Sequence, residues 1–203
     1  MNAIQTLLTL SVLFAPLPLA AEPPAPLILP AISFTIPGTH VIPATLTFED
    51  PVAQVAARIQ KLSRYTPAKR AHVLAKAFVA AGKKNGVDPM LMVALCTQES
   101  RFRGGLKSEW TNRGQITHDY GIMQVNEHWI EAWKLDEKRL QYDDTYNIHV
   151  AARILKGLQK RFAATEPQWF TRYNSSWPPA RAKYTKAITP FLTPQLFIAS
   201  ITP

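Results

Sequence analysis

From residue 51 to residue 162, apolar side chains recur three and four residues apart over long stretches, the spacing of helices that bury one face. Val52, Val55, Ala56, Ile59 and Leu62 share a face behind Asp50-Pro51, an N-cap residue followed by proline in the first helical turn. The same opening recurs at Thr66-Pro67, ahead of the stripe Ala71, Leu74, Ala75, Phe78 and Ala81. Asn85-Gly86 ends that helix, with glycine supplying a left-handed cap. A third opening, Asp88-Pro89, starts a helix from Met90 to about Thr97 that is apolar on nearly every side and is predicted to be buried. Ile148, Ala151, Ala152, Leu155, Leu158 and Phe162 form a further stripe, with Asp144 as its expected cap. Glu166-Pro167 predicts a short helix ending at Tyr173-Asn174, residues 175–179 a loop, and Arg181 to Ile188 a last helix.

Between the third helix and the Asp144 helix the pattern changes. Residues 103–118 are polar and rich in turn formers, including Gly104-Gly105 and Thr111-Asn112-Arg113-Gly114. They predict a loop or a short two- or three-stranded hairpin region. In the run Asp119-Tyr120-Gly121-Ile122-Met123-Gln124-Val125-Asn126, Gly121 permits a close backbone approach or makes a turn. Asn126 is placed to cap a short helix carrying Trp129, Ile130 and Trp133. The fold class expected is mainly α, an α+β arrangement with a small hairpin region beside a groove.

Both ends read differently. Residues 4–20 are mostly Ile, Leu, Val, Phe and Ala, with no charged side chain before Glu22, and Leu19-Ala20-Ala21 has the look of a signal-peptidase site. No Lys or Arg precedes this run, which is also short for a membrane span. Residues 1–21 are expected to be a cleaved export signal, an uncleaved anchor being the alternative, and the protein is expected in a bacterial periplasm. Residues 22–50 are proline-rich and predict an extended arm, with a strand around Thr45–Phe48. The organisation expected is then an accessory helix over 51–66, a main domain over 67–190 and an apolar, proline-punctuated tail over 191–203.

Composition narrows the chemistry. The 203 residues carry a net charge of +9, scattered over pairs such as Lys69-Arg70 and Lys83-Lys84. A basic surface suits a polyanion, but without a Lys/Arg block nucleic acid is the weaker partner. Cys96 is the single cysteine, so no internal disulfide forms; its apolar neighbours predict a buried residue rather than a catalytic thiol. The five histidines are scattered without a His-Glu-x-x-His motif, so neither metal nor cofactor is expected.

Two carboxylates remain as candidate chemistry. Glu99 ends the all-apolar helix. At the lip of a core its charged form is poorly solvated, and a raised pKa would let it donate a proton; at a frayed helix end it would simply face solvent. Asp119 follows 20 residues later. It is either a second catalytic carboxylate or an acceptor for backbone N–H groups of the turn at Tyr120-Gly121. Trp110 and Trp177 are the tryptophans best placed to stack on a ligand, since both lie in predicted loops.

The motifs Glu99-Ser100-x-Phe102, Gly121-Ile122-Met123-Gln124-x-Asn126, Asn147 early in a helix, and Tyr173-Asn174 are similar to those of the bacterial lytic transglycosylase domain, the goose-type lysozyme-like fold of glycoside hydrolase family 23. Asp119-Tyr120-Gly121 and Trp129 also resemble the corresponding stretch of c-type lysozymes. Transglycosylases that accompany secretion, pilus or conjugation machines look most like this chain. Two departures stand out. Ser175-Ser176 replace the glycine that usually follows Tyr-Asn, and the long loop before Gly121 leaves Ser108 as the guess for a family serine.

The resemblance implies that the protein cleaves peptidoglycan between N-acetylmuramic acid and N-acetylglucosamine, with Glu99 as acid and then base. It implies that Met123 and Gln124 line the glycan groove and that Tyr173 lies near Glu99. Ser100, Gly121 and Asn174 are assigned to substrate binding, and Phe102, Asn126 and Asn147 to support. Asn147 and Asn174 are expected to hydrogen-bond backbone. Asp119 is expected to be supportive, because one glutamate suffices in that family. A muramidase using Glu99 and Asp119 is the alternative, and a non-catalytic glycan-binding assembly protein a second.

Overall fold

The protein is described as a computed structural model covering residues 50–112 and 114–192. The expected export signal, nearly all of the proline-rich arm with its strand at Thr45–Phe48, and the tail beyond residue 192 lie outside the described residues. Seven α-helices are present among the described residues: α1 (Pro51–Leu62), α2 (Ala68–Asn85), α3 (Pro89–Glu99), α4 (His128–Trp133), α5 (Glu137–Tyr142), α6 (Asp144–Phe162) and α7 (Pro178–Ile188). Strands β1 (Lys107–Asn112), β2 (Gln115–Tyr120) and β3 (Val125–Asn126) form one antiparallel sheet in that order. This is the α+β, lysozyme-like architecture that the sequence predicts.

Helix α3 is the centre of the core. Leu91 to Thr97 are all buried, and α1, α2 and α7 pack against it. Its start follows the sequence signal: Asp88 Oδ1 accepts from Met90 N at 2.7 Å, with Pro89 in the first turn. Asp50 caps α1 in the same way, accepting from Val52 N at 3.0 Å. The apolar faces of α1 and α2, with α6 packed on α2, complete the core through Ile59, Leu74, Phe78, Ile148 and Leu155, each with almost no exposed surface. Removing that much apolar area from water stabilises the fold by about 1.5–3 kcal/mol for each large side chain.

Four local expectations are corrected. Thr66 does not cap α2; its hydroxyl donates instead to Ser63 Oγ at 2.9 Å, and Pro67 stands at the cap position without a side-chain bond. Asp143, not Asp144, caps α6 by accepting from Tyr146 N at 2.9 Å, and Asp144 pairs with Arg70 at 2.8 Å. Two adjacent aspartates offer the same short acceptor, and only tertiary packing chooses between them. Pro178 and Pro179 belong to the first turn of α7, where a missing N–H costs nothing, rather than to a loop. Helix α5 has no counterpart in the predicted elements; its six residues bury only Leu140, too little to leave a periodic signal.

Candidate active site

Glu99 is the last residue of α3. Beyond it the chain cannot continue as a helix. Ser100 N and Arg101 N both donate to Cys96 O, at 3.0 and 3.1 Å, and Arg101 and Phe102 then take positive φ values of 53° and 62°. This turn carries Phe102 into the core and leaves Glu99 at the edge of a groove. As a residue Glu99 keeps partial exposure, while its carboxyl group is crowded by protein. Burial pushes its pKa up from 4.5 to about 7; a hydrogen bond from Tyr184 pulls it down and the negative charge of Asp119 adds to the rise. The C-terminal end of a helix is also the negative end of its dipole, which acts in the same upward direction.

The second wall is the hairpin. In the register Ser108 faces Asp119 and Trp110 faces Thr117, so these four side chains share one face of the sheet. Asp119 is held by two side chains: Trp110 Nε1 donates to its Oδ2 at 2.8 Å and Asn126 Nδ2 to its Oδ1 at 2.9 Å. The expectation that the turn backbone at Tyr120-Gly121 would supply its donors is therefore corrected; Gly121 N donates to Leu106 O instead. Burial raises the pKa of Asp119, against the lowering effect of those two hydrogen bonds.

The turn from Gly121 to Gln124 joins these parts. Gly121 has φ 71°, and a Cβ there would collide with the carbonyl of Leu140 and the amide of Asn147. Asn147, fully buried in α6, accepts from Met123 N and donates to Tyr120 O and Leu140 O, all at 2.8 Å. Ser100 Oγ donates to Ile122 O at 2.6 Å and Tyr173 OH to Met123 O at 3.0 Å. The four sequence motifs thus meet at one turn. Gln124, at φ 51°, donates through its side-chain amide to Gly121 O at 2.8 Å and accepts from Ser108 Oγ.

The groove has a volume of about 1320 Å3, and Glu99, Asp119, Trp110, Gln124, Tyr173 and Trp177 contribute to its walls, with Asn126 and Asn174 also on its lining. Trp110 sits on β1 and Trp177 at the start of α7, with 43% and 64% of their surfaces exposed. Three residues assigned to substrate binding lie elsewhere. Met123 is fully buried in the core, Ser100 is buried and uses its hydroxyl on Ile122, and Gly121 is a backbone crossing point. Asn174 is exposed on the groove and makes no side-chain hydrogen bond among the described residues, so its expected bond to backbone is corrected. Tyr184 of α7 is the residue that the sequence reading missed: buried, and donating to Glu99 Oε1. Its one signal is a lone aromatic in an otherwise small and basic helix.

The family model for the transglycosylase SLT domain matches residues 76–185, more than half of the chain. The chain belongs to that family. No curated protein matches it at a significant level. Membership makes the SLT domain a transglycosylase-type, peptidoglycan-cleaving enzyme. Peptidoglycan as substrate points to action outside the cytoplasm. Among the described residues, no helix is long and apolar enough to cross a membrane, and no group of three or more His, Cys, Asp or Glu is placed to hold a metal ion.

Proposed function

We propose that this SLT enzyme cleaves the β-1,4 bond between N-acetylmuramic acid and N-acetylglucosamine by transglycosylation, with Glu99 as the single acid and base. The observation that carries the reading is a carboxyl group facing the groove with its pKa raised to about 7 by burial. Protonated Glu99 donates its proton to the glycosidic oxygen as the bond to C1 breaks. The carboxylate so formed accepts the proton of the same muramic acid's 6-hydroxyl while O6 bonds to C1. The product is a 1,6-anhydro ring, and no water is consumed.

Asp119 supports the positive charge that develops on the sugar. It does so from a fixed position, because each of its oxygens accepts a hydrogen bond, from Trp110 and from Asn126. Those bonds stabilise a charged carboxylate but restrain an attack on C1. A muramidase reading is favoured by one observation, that Asp119 and Glu99 line the same groove. Gln124, Tyr173 and Asn174 are proposed to contact or order the glycan, with Trp110 and Trp177 stacking on sugar faces. Opening the wall locally for an envelope-spanning secretion, conjugation or pilus machine is the proposed purpose, on resemblance alone.

Mass spectrometry of muropeptides released from sacculi tests the chemistry. The expected products end in 1,6-anhydro-muramic acid, and Glu99→Gln lowers their release by at least a thousandfold. Reducing-end muramic acid without the anhydro form would replace transglycosylation by hydrolysis, and unchanged lysis by Glu99→Gln would end the assignment of the acid.

A further inference from the structure

A second cleft, of about 480 Å3, shares no lining residue with the catalytic groove. It is formed by the α1–α2 connection, the first turn of α2, the loop that follows Glu99, and the α5–α6 junction. Its charge is unbalanced: Arg70, Arg101 and Arg103 line it against one carboxylate, Asp144. Arg70 is committed, donating to Asp144 Oδ2 at 2.8 Å and to Phe102 O at 3.2 Å. Arg103 uses only its Nε, on Ser100 O at 3.0 Å. The Arg101 side chain has no hydrogen bond or ion pair among the described residues, and both Arg101 and Arg103 are exposed.

The backbone supports this arrangement at a cost. Arg101 and Phe102 are consecutive non-glycine residues in the left-handed region, a conformation that costs on the order of 1–3 kcal/mol per residue. The turn seats Phe102 in the core and swings Arg101 outward to the cleft. Tyr65 and Tyr142, 81% and 65% exposed, also line it. The Tyr142 ring lies against Gly105, where a Cβ would sit 3.7 Å from it, and any side chain at Gly104 would collide with the Asp144 carboxylate.

Guanidinium groups with free edges pair with carboxylates in a forked geometry, and exposed tyrosines supply apolar faces at small entropic cost. We propose that this cleft binds an acidic segment of a protein partner, its carboxylates on Arg101 and Arg103 and an apolar side chain against Tyr65 or Tyr142. The parts of this chain outside the described ends offer little that would fit: Glu22 and Glu49 are the only acidic side chains before residue 50, and none occurs after residue 192. A stem peptide of the substrate is the competing acidic ligand; it would have to reach the cleft from a groove with which the cleft shares no lining residue. The proposal does not depend on whether the groove performs transglycosylation or hydrolysis.

Fluorescence anisotropy with the full chain tests it, using a labelled twelve-residue peptide of Asp, Glu and Phe, and one of Lys and Phe as control. The acidic peptide is expected to bind and the basic one not. Arg101→Glu with Arg103→Glu should weaken binding at least tenfold in a chain that still unfolds cooperatively. Should that double variant fail to fold, Tyr142→Ser is expected to weaken binding severalfold with the arginines intact. A chitin tetrasaccharide should leave the peptide bound. Equal affinity for both peptides, indifference to all of these substitutions, or displacement by the tetrasaccharide would overturn the proposal. Displacement by soluble muropeptides but not by the tetrasaccharide would also overturn it, assigning the cleft to the stem carboxylates of the wall.

Discussion

The protonation of Glu99 is decided by burial and the charge of Asp119 against one hydrogen bond. Burial raises its pKa to about 7, while the phenol of Tyr184 stabilises the carboxylate by donating to Oε1. In the proposed reaction the acid form is the one that starts the chemistry, so activity should fall as pH rises through about 7. In Tyr184→Phe the downward pull is gone, and the alkaline limb of the kcat/KM profile is expected to move to higher pH. The carboxyl also loses the one side-chain hydrogen bond that orients it among the described residues, so kcat should fall on the order of tenfold. A purely structural role for Tyr184 would lower the rate without moving the limb. Glu99 was legible as a candidate because a lone acid ending an apolar helix is a local signal, which the Glu-Ser-x-Phe resemblance then favoured over a solvent-facing residue. Tyr184 was not, since 85 residues separate it from its partner and nothing in the periodicity of α7 sets it beside α3.

At the scale of elements, most of the fold follows from short-range chemistry. Asp50-Pro51 and Asp88-Pro89 start α1 and α3, and Gly86 at φ 68° ends α2, each through contacts within a few residues. Such signals survive in a bare sequence. The choice of Asp143 over Asp144 did not, because Arg70, 74 residues away, claims the second aspartate. The buried position of Met123 likewise depends on long-range contacts, with Asn147 fixing its N–H and Tyr173 its carbonyl. Asn147 is therefore the residue on which the turn depends. Asn147→Ala would remove the bond to the Met123 N–H and those to the Tyr120 and Leu140 carbonyls in a dry site. The expected loss is about 3 kcal/mol, read as a fall in Tm of roughly 6–12 °C for a domain of this size. A loss under about 1 kcal/mol in denaturant titration would mean that the turn holds itself.

For the whole molecule, the groove works only if its walls stay in register. One wall is the hairpin on β1 and β2; the other is the segment from Trp169 through α7, which carries Tyr173, Trp177 and Tyr184. Glu166 ties that second wall together: its carboxylate accepts from Arg172 at 2.6 and 2.8 Å and from Arg181 of α7 at 2.7 Å. Arg172 also lies 3.8 Å over the ring of Phe162 at the end of α6. The two glutamates are driven in opposite directions. Hydrogen bonding to Arg172, helped by the charge of Arg181, holds Glu166 below the usual carboxylate range, while Glu99 rises toward 7. In mildly acidic solution the clamp is therefore charged and the acid protonated, the combination that the proposed reaction needs. Glu166 is not itself on the groove lining, but its partner Arg172 is, so Glu166→Ala removes the clamp and frees one residue of the wall. The expected result is a Tm lower by a few degrees and a muropeptide release rate lower on the order of tenfold, by the same factor at pH 5 and pH 7. The alkaline limb should stay in place, in contrast to Tyr184→Phe. If it moved by the same amount, the clamp would act by setting Tyr184 against Glu99, and α7 as a whole would be what tunes the acid.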